Sequence, residues 1–189
     1  MSSKHLQLAI WGDSIVHGGC DPEQGGWVNR LRLHLWNRGL GDHVFNLGLG
    51  GNNSSQVLAR IGPELLARRG HIDHALVSVG VNDLLHPTAP VVPEAFAQNL
   101  RAIVGEIRAQ GKTPHLLSMI TIGKEPEKCA AYNAIIEQVA TATNTGFIDL
   151  RQSVPLTDLP DQVHPNAPGH EKMFQTIKAY FEKAGLLPL

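Results

Sequence analysis

Short apolar runs alternate along the chain with longer stretches in which apolar residues recur every three to four positions. A short run rich in β-formers between turn residues reads as a strand, and a 3.6-residue period reads as a helix with one buried face. This pattern predicts strands at Leu6–Trp11, His43–Leu47, Ala75–Val79, Thr113–Met119 and Gly146–Asp149. Their near-continuous apolar character suits strands covered on both faces. Helices are expected at Trp27–Arg38, Ser54–Arg69, Pro93–Gln110, Lys128–Thr143 and Ala167–Ala184. The third carries Phe96, Leu100, Ile103, Val104 and Ile107 on one stripe. The last does the same with Met173, Phe174, Ile177, Tyr180 and Phe181. Gly39, Gly70 and Gly111 stand where helix C-terminal caps belong, and Asn166 where an N-cap does.

Strands that alternate with helices build βαβ units on a parallel sheet, and right-handed crossovers place the helices on both faces. The expected fold is therefore α/β: a three-layer α/β/α sandwich with a five-stranded parallel sheet, in the flavodoxin-like order 2-1-3-4-5. Ligands of such sheets bind beyond the carboxyl ends of the strands, where the strand order reverses. Strand 1 then lies between strands 2 and 3, and the loops leaving those three strands are neighbours.

Composition narrows the classes without changing this picture. A chain of 189 residues with 42% hydrophobic and 17% charged residues fits one globular domain, residues 1–189. Lys plus Arg total 16 against 17 for Asp plus Glu. That balance argues against a nucleic acid or an anionic membrane as partner. The N-terminal apolar run, about six residues, is shorter than a signal-peptide core or a membrane span. A soluble, cytoplasmic protein is expected. Cys20 and Cys129 form no metal-ligand spacing, and no metal or other cofactor is expected. The oligomeric state is left open, since the apolar tail GLLPL at Gly185–Leu189 suits packing on its own domain or against a second subunit.

Polar turn formers cluster at the strand ends. Gly12, Asp13 and Ser14 follow strand 1, and NLGLGGNNS (46–54) follows strand 2. GVND (80–83) follows strand 3, and DQVHPN (161–166) follows strand 5. Each has an ordinary reading as a turn or cap, and Gly48, Gly50 and Gly51 as residues permitting positive φ. The glycine loop matches neither nucleotide-binding fingerprint, which weakens a phosphate-cradle reading. The spacing of Asp161 and His164 suits a carboxylate bonded to one imidazole nitrogen, with the other left free as a general base. A glycine N–H and the Asn82 amide are candidate oxyanion donors. Serine, base, orienter and two donors together are what acyl transfer requires, and ester hydrolysis fits best.

With GDS, the Gly51 loop, GVND and DQVH in that order, the chain resembles the SGNH hydrolases, the GDSL-type esterases and lipases. The resemblance spans nearly the whole chain. It implies Ser14 as nucleophile, with its own N–H as an oxyanion donor. It implies Gly51 as the second donor (Gly50 if the register is off by one) and Asn82 as the third. His164 is then the base and Asp161 its orienter, so the catalytic set is Ser14, Asp161 and His164. Two positions depart from the family pattern. Ile15 replaces the name-giving leucine, a volume-conserving change, and Val81 stands where many members carry glycine, with an effect on the pocket or loop. The G-x-S-x-G elbow of the α/β-hydrolases is absent around Ser14.

The expected partner is a small-molecule ester. A chain this short has no room for a lid domain, so an open site and small acyl groups, acetyl above long-chain, are expected. Leu84, Leu85, His86, Pro87 and the GxxxxxGGW segment around Trp27 are candidate pocket walls, with core packing the alternative for Trp27. His17 and Cys20 lie near Ser14 in sequence without an assigned role. Three alternatives stay open: an acyltransferase using the same acyl-enzyme, a catalytically silent domain that binds carbohydrate or protein, and a flavin or nucleotide binder. The last rests on fold analogy alone.

Overall fold

The computed structural model describes residues 5–40, 43–86 and 90–188. Five parallel strands form one sheet: β1 (Leu8–Gly12), β2 (Val44–Gly48), β3 (His74–Ser78), β4 (Thr113–Leu117) and β5 (Gly146–Ile148). Their order is β2-β1-β3-β4-β5, as the alternation of the sequence predicts. β1 is buried along its whole length because helices cover both sides of it. On one face α2 (Gly26–Asn37) packs against α7 (Ala167–Lys183). On the other, α3 (Ser54–Ala67), α5 (Pro93–Ala109) and α6 (Pro126–Ala142) pack in sequence.

The apolar stripes become the core. Phe96, Leu100, Ile103, Val104 and Ile107 of α5 are buried, as are Met173, Phe174, Ile177 and Phe181 of α7; Tyr180 is only partly covered. Gly39 and Gly111 take the left-handed conformation just past α2 and α5, and the Asn166 side-chain Oδ1 accepts the Gly169 N–H at 3.0 Å. Gly70 does not act as expected. α3 stops at Ala67, and the Arg68 N–H closes it on Leu65 and Leu66 carbonyls. α6 begins two residues early because Pro126 suits a first helical turn. β4 stops at Leu117 because the backbone of Met119 turns to the Asn133 amide, with bonds of 2.7 and 3.2 Å.

Two short helices complete the strand ends that matter for function. α1 (Ser14–His17) follows β1, and α4 (Val81–Leu85) follows β3. Both stretches read as loops in the sequence, since four or five residues are too few to show a helical period. α1 folds back tightly over the sheet edge. A Cβ on Gly12 would lie 2.4 Å from the Ser78 carbonyl oxygen and from Val16 Cγ2, and one on Gly48 2.3 Å from the His17 nitrogen. Close approach explains both glycines. Neither Gly48 nor Gly50 needs positive φ; Gly51 has φ 81°.

Candidate active site

The site is built at the ends of β1, β2 and β3, whose register sets Gly12 beside both Gly48 and Ser78. Asp13 caps α1, its carboxylate accepting the Ile15 N–H at 2.9 Å, which sets Ser14 as the first helical residue. The Asn46 amide donates to the Val16 carbonyl at 2.9 Å and ties β2 to the same helix.

Ser14 meets a residue 150 positions away: its Oγ lies 2.7 Å from His164 Nε2. His164 Nδ1 in turn lies 2.6 Å from Asp161 Oδ2. The Oδ1 oxygen of Asp161 accepts the N–H groups of Val163 at 2.9 Å and His164 at 2.7 Å. Partial burial pushes the Asp161 carboxyl up. The bonds from the His164 backbone and imidazole and from Val163 outweigh it and hold the carboxyl at about 2. A carboxylate only accepts, so Nδ1 carries the proton and donates. A neutral imidazole then presents a lone pair at Nε2, and the Ser14 hydroxyl donates to it. The loop that carries His164 is pinned. The Gln162 carbonyl accepts the Gly123 N–H at 2.9 Å, and the Asn166 N–H donates to the Asp158 carbonyl at 2.8 Å.

Asn82 and the Gly51 loop join the other two strand ends. Asn82 lies in the first turn of α4, and its amide donates to the Asn52 carbonyl at 3.1 Å, across to the loop that contains Gly51. Next to it the fully buried Asp83 accepts the Ser54 N–H at 3.0 and 3.1 Å and the Ser54 hydroxyl at 2.5 Å. Burial raises the Asp83 carboxyl despite these bonds. Arg60 binds the same region from α3. It donates to Asn52 Oδ1 at 3.0 Å, the Leu47 carbonyl at 2.6 Å and the Gly12 carbonyl at 3.3 Å. Glu64 pairs with Arg60 at 2.9 Å and accepts the Trp11 indole N–H at 2.6 Å. Sequence reasoning missed Arg60 and assigned no role to Asp83. A lone arginine in a helix carries no signal, while Asp83 was visible as the last letter of GVND.

The remaining expectations separate. Val81 is buried at the start of α4. Trp27 is fully buried in the core, so the packing reading holds for it. Leu84 and His86 do line a cavity of about 460 Å³, together with Val92, Lys128 and Tyr132. Pro87 lies outside the described residues. His17 is exposed at the end of α1. Cys20 is brought to the His164–Asp161 pair, its Sγ, a ring nitrogen and a carboxylate oxygen all lying within 4.8 Å of one another. No spacing rule relates positions 20, 161 and 164, so the sequence held no sign of this cluster.

A hydroxyl bonded to a neutral imidazole, itself held by an ionised carboxylate, can lose its proton as it attacks an electrophile. Several solved structures are similar to this chain. Axe2, an acetylxylan esterase from Geobacillus stearothermophilus, superposes with a TM-score of 0.79 at 23% identity, over 95% of this chain and 96% of that one. LAE5, an α/β hydrolase enzyme from the metagenome of Lake Arreo, Spain, gives 0.79 at 23% identity, over 94% and 95%. The acetyl xylan esterase AlAXEase gives 0.78 at 22% identity, over 91% and 98%. At such identities the likeness shows a shared fold. No curated protein sequence matches the chain. The sequence model of the GDSL-like Lipase/Acylhydrolase family matches residues 10–172, most of the chain and every strand-end block described above. The chain therefore belongs to the GDSL-like lipase/acylhydrolase family, the SGNH-type ester hydrolases.

Proposed function

We propose that this protein is a serine esterase that removes acetyl groups from esters of carbohydrate hydroxyls. The unbroken chain from Ser14 through His164 to Asp161, with links of 2.7 and 2.6 Å, carries the proposal. Ser14 Oγ bonds to the ester carbonyl carbon while its proton passes to His164 Nε2. Asp161 stabilises the imidazolium that forms. The Ser14 and Gly51 N–H groups and the Asn82 amide receive the oxyanion. Collapse breaks the bond to the alcohol oxygen, which leaves with the proton from Nε2. His164 then takes a proton from water, the hydroxide adds to the acyl-enzyme, and acetate departs as Ser14 regains its proton.

Two features favour a small acyl group on a polar alcohol. His164 and Asp161 keep side-chain exposures of 29% and 48%, which leaves little apolar cover for a long chain. The cavity that starts two residues beyond Asn82 is of a size that takes small ligands. Two of the similar structures are acetylxylan esterases, and catalytic mutants of Axe2 replace a serine and a histidine by alanine.

The test is turnover of p-nitrophenyl acetate, butyrate and octanoate, followed by acetylated xylo-oligosaccharides. Acetate is expected to be the best of the three simple esters, and Ser14→Ala to lower kcat by about 10⁴-fold or more. Unchanged turnover in Ser14→Ala would remove Ser14 as nucleophile. A preference for octanoate would remove the small-acyl assignment.

A further inference from the structure

The catalytic pair has an unexpected neighbour. Cys20 is an exposed residue with φ 66°, a conformation that side-chain-bearing residues rarely adopt. Its backbone is held there from both sides. The N–H groups of Gly18 and Gly19 both bond to the Ser14 carbonyl, at 3.1 and 2.8 Å. His170 Nε2 bonds the Gly19 carbonyl at 2.9 Å. On the other side, the buried Asp21 carboxylate is paired with Arg30 and accepts the Gly26 N–H at 3.0 Å. A constrained backbone thus presents a thiol to His164 and Asp161, with the three ligand atoms within 4.8 Å of one another.

We propose that Cys20, His164 and Asp161 form a binding site for a thiophilic divalent cation of the Zn²⁺ or Cd²⁺ kind, and that its occupancy switches the enzyme off. One sulfur, one imidazole nitrogen and one carboxylate oxygen are the donors that zinc selects over the hard cations. Three protein ligands with water in the fourth position is a familiar coordination number for it. Donors around tetrahedral zinc lie roughly 3.5 Å apart, between the 2.6 Å of the His164–Asp161 contact and the 4.8 Å that bounds the cluster. On binding, the thiol gives its proton to solvent and the thiolate sulfur bonds to the ion. If the ion takes His164 Nε2, Ser14 loses its base; if it takes Nδ1, Asp161 loses its hold on the ring. Either way acyl transfer stops. The inhibition rests on the esterase reading, whereas the binding does not.

The experiment reads the two separately. Co²⁺ added to the purified protein is expected to produce a thiolate-to-cobalt charge-transfer band. Zn²⁺ is expected to slow reaction of the thiol with Ellman's reagent. Cys129 is buried and bonded to the Ile120 carbonyl, so Cys20 is the thiol within reach. Zn²⁺ should lower p-nitrophenyl acetate turnover about tenfold at about ten times its dissociation constant, and EDTA should restore it. Cys20→Gly suits the left-handed backbone, and Cys20→Ser keeps the side-chain volume. Each should lose the band and raise the half-inhibitory Zn²⁺ concentration about tenfold or more, measured against its own metal-free rate. His164→Ala should lose the band as well. Equal Zn²⁺ sensitivity in wild type and both Cys20 variants overturns the proposal, as does absence of both band and thiol protection in an active enzyme. A band and thiol protection in a protein without esterase activity uphold the metal site and defeat the esterase assignment.

Discussion

Asp13 does more than spell a motif. It is buried, it caps α1, and burial lifts its carboxyl to about 6 even though the Ile15 N–H and the neighbouring His164 ring pull it down. A carboxyl raised from 3.8 to about 6 favours the folded state fully below pH 3.8, and that contribution is lost as the pH rises through 6. At pH 8 the buried charge therefore costs about 3 kcal/mol relative to a neutral group. Asn keeps an oxygen for the Ile15 N–H without the charge. Asp13→Asn is expected to raise Tm at pH 8 by several degrees and to change it little at pH 4, measured by thermal melts at both. An equal change at the two pH values would show that ionisation of Asp13 is not the cause. At this scale the residues of the candidate site were readable because family motifs carry them. The parts played by Asp83, Arg60 and Cys20 were not, because they depend on partners 29, 48 and more than 140 positions away.

At the scale of elements, the long helices and all five strands were readable from periodicity, and the short helices were not. α1 has four residues and α4 has five. Their stability comes from capping and from contact with the sheet edge, neither of which writes a period into the chain. The same holds for the loop between α1 and α2. It is organised by Arg30, which pairs with the buried Asp21, bonds Glu171 at 3.1 Å and reaches the Ala167 carbonyl at 3.2 Å, and so joins α2 to α7. Burial pushes the Asp21 carboxyl up, yet Arg30 and the Gly26 N–H hold it below its usual range. Removing the guanidinium leaves that carboxylate buried without its partner. Arg30→Ala is expected to cost about 3–5 kcal/mol in urea unfolding. Adding Asp21→Asn should recover part of the loss, since the two sites share one interaction. A purely additive double variant would mean that the pair is not coupled.

Across the whole molecule, the far end of the sheet holds a second, partly buried polar chain. His74 Nδ1 meets His115 Nε2 at 3.0 Å, and His115 Nδ1 meets the Tyr180 hydroxyl at 3.0 Å. Burial lowers His115 to about 4, with the neighbouring His74 ring adding to the effect, and burial lowers His170 as well. These imidazoles are neutral when folded and take protons when unfolded. The stability from a lowered His115 is present above pH 6.5 and lost as the pH falls through 4, about 3 kcal/mol in all. Asp13 works in the opposite sense over much of the same interval. The urea midpoint of wild type is therefore expected to fall only modestly between pH 7 and 4, and that of Asp13→Asn to fall much more steeply. His115→Gln should turn that modest fall into a rise, because the Asp13 contribution then acts unopposed. A His115→Gln profile as steep as that of wild type would remove His115 from the account. Asp161, held at about 2, stays charged throughout, so activity lost between pH 7 and 4 is not due to its protonation.

The sequence by itself determined the layers, the strand order and the family. Hydrophobic periodicity records which faces are buried, crossover handedness prunes the topologies, and four motif blocks in order are specific. Tertiary structure alone decided which polar groups meet. Only the folded chain sets Ser14 against His164, locks the Gly51 loop to Asn82 through Asn52, and brings Cys20 to His164 and Asp161. The reason is physical. Burial is written locally, residue by residue, while a hydrogen bond or a shared ligand depends on distances that exist only after distant segments have packed.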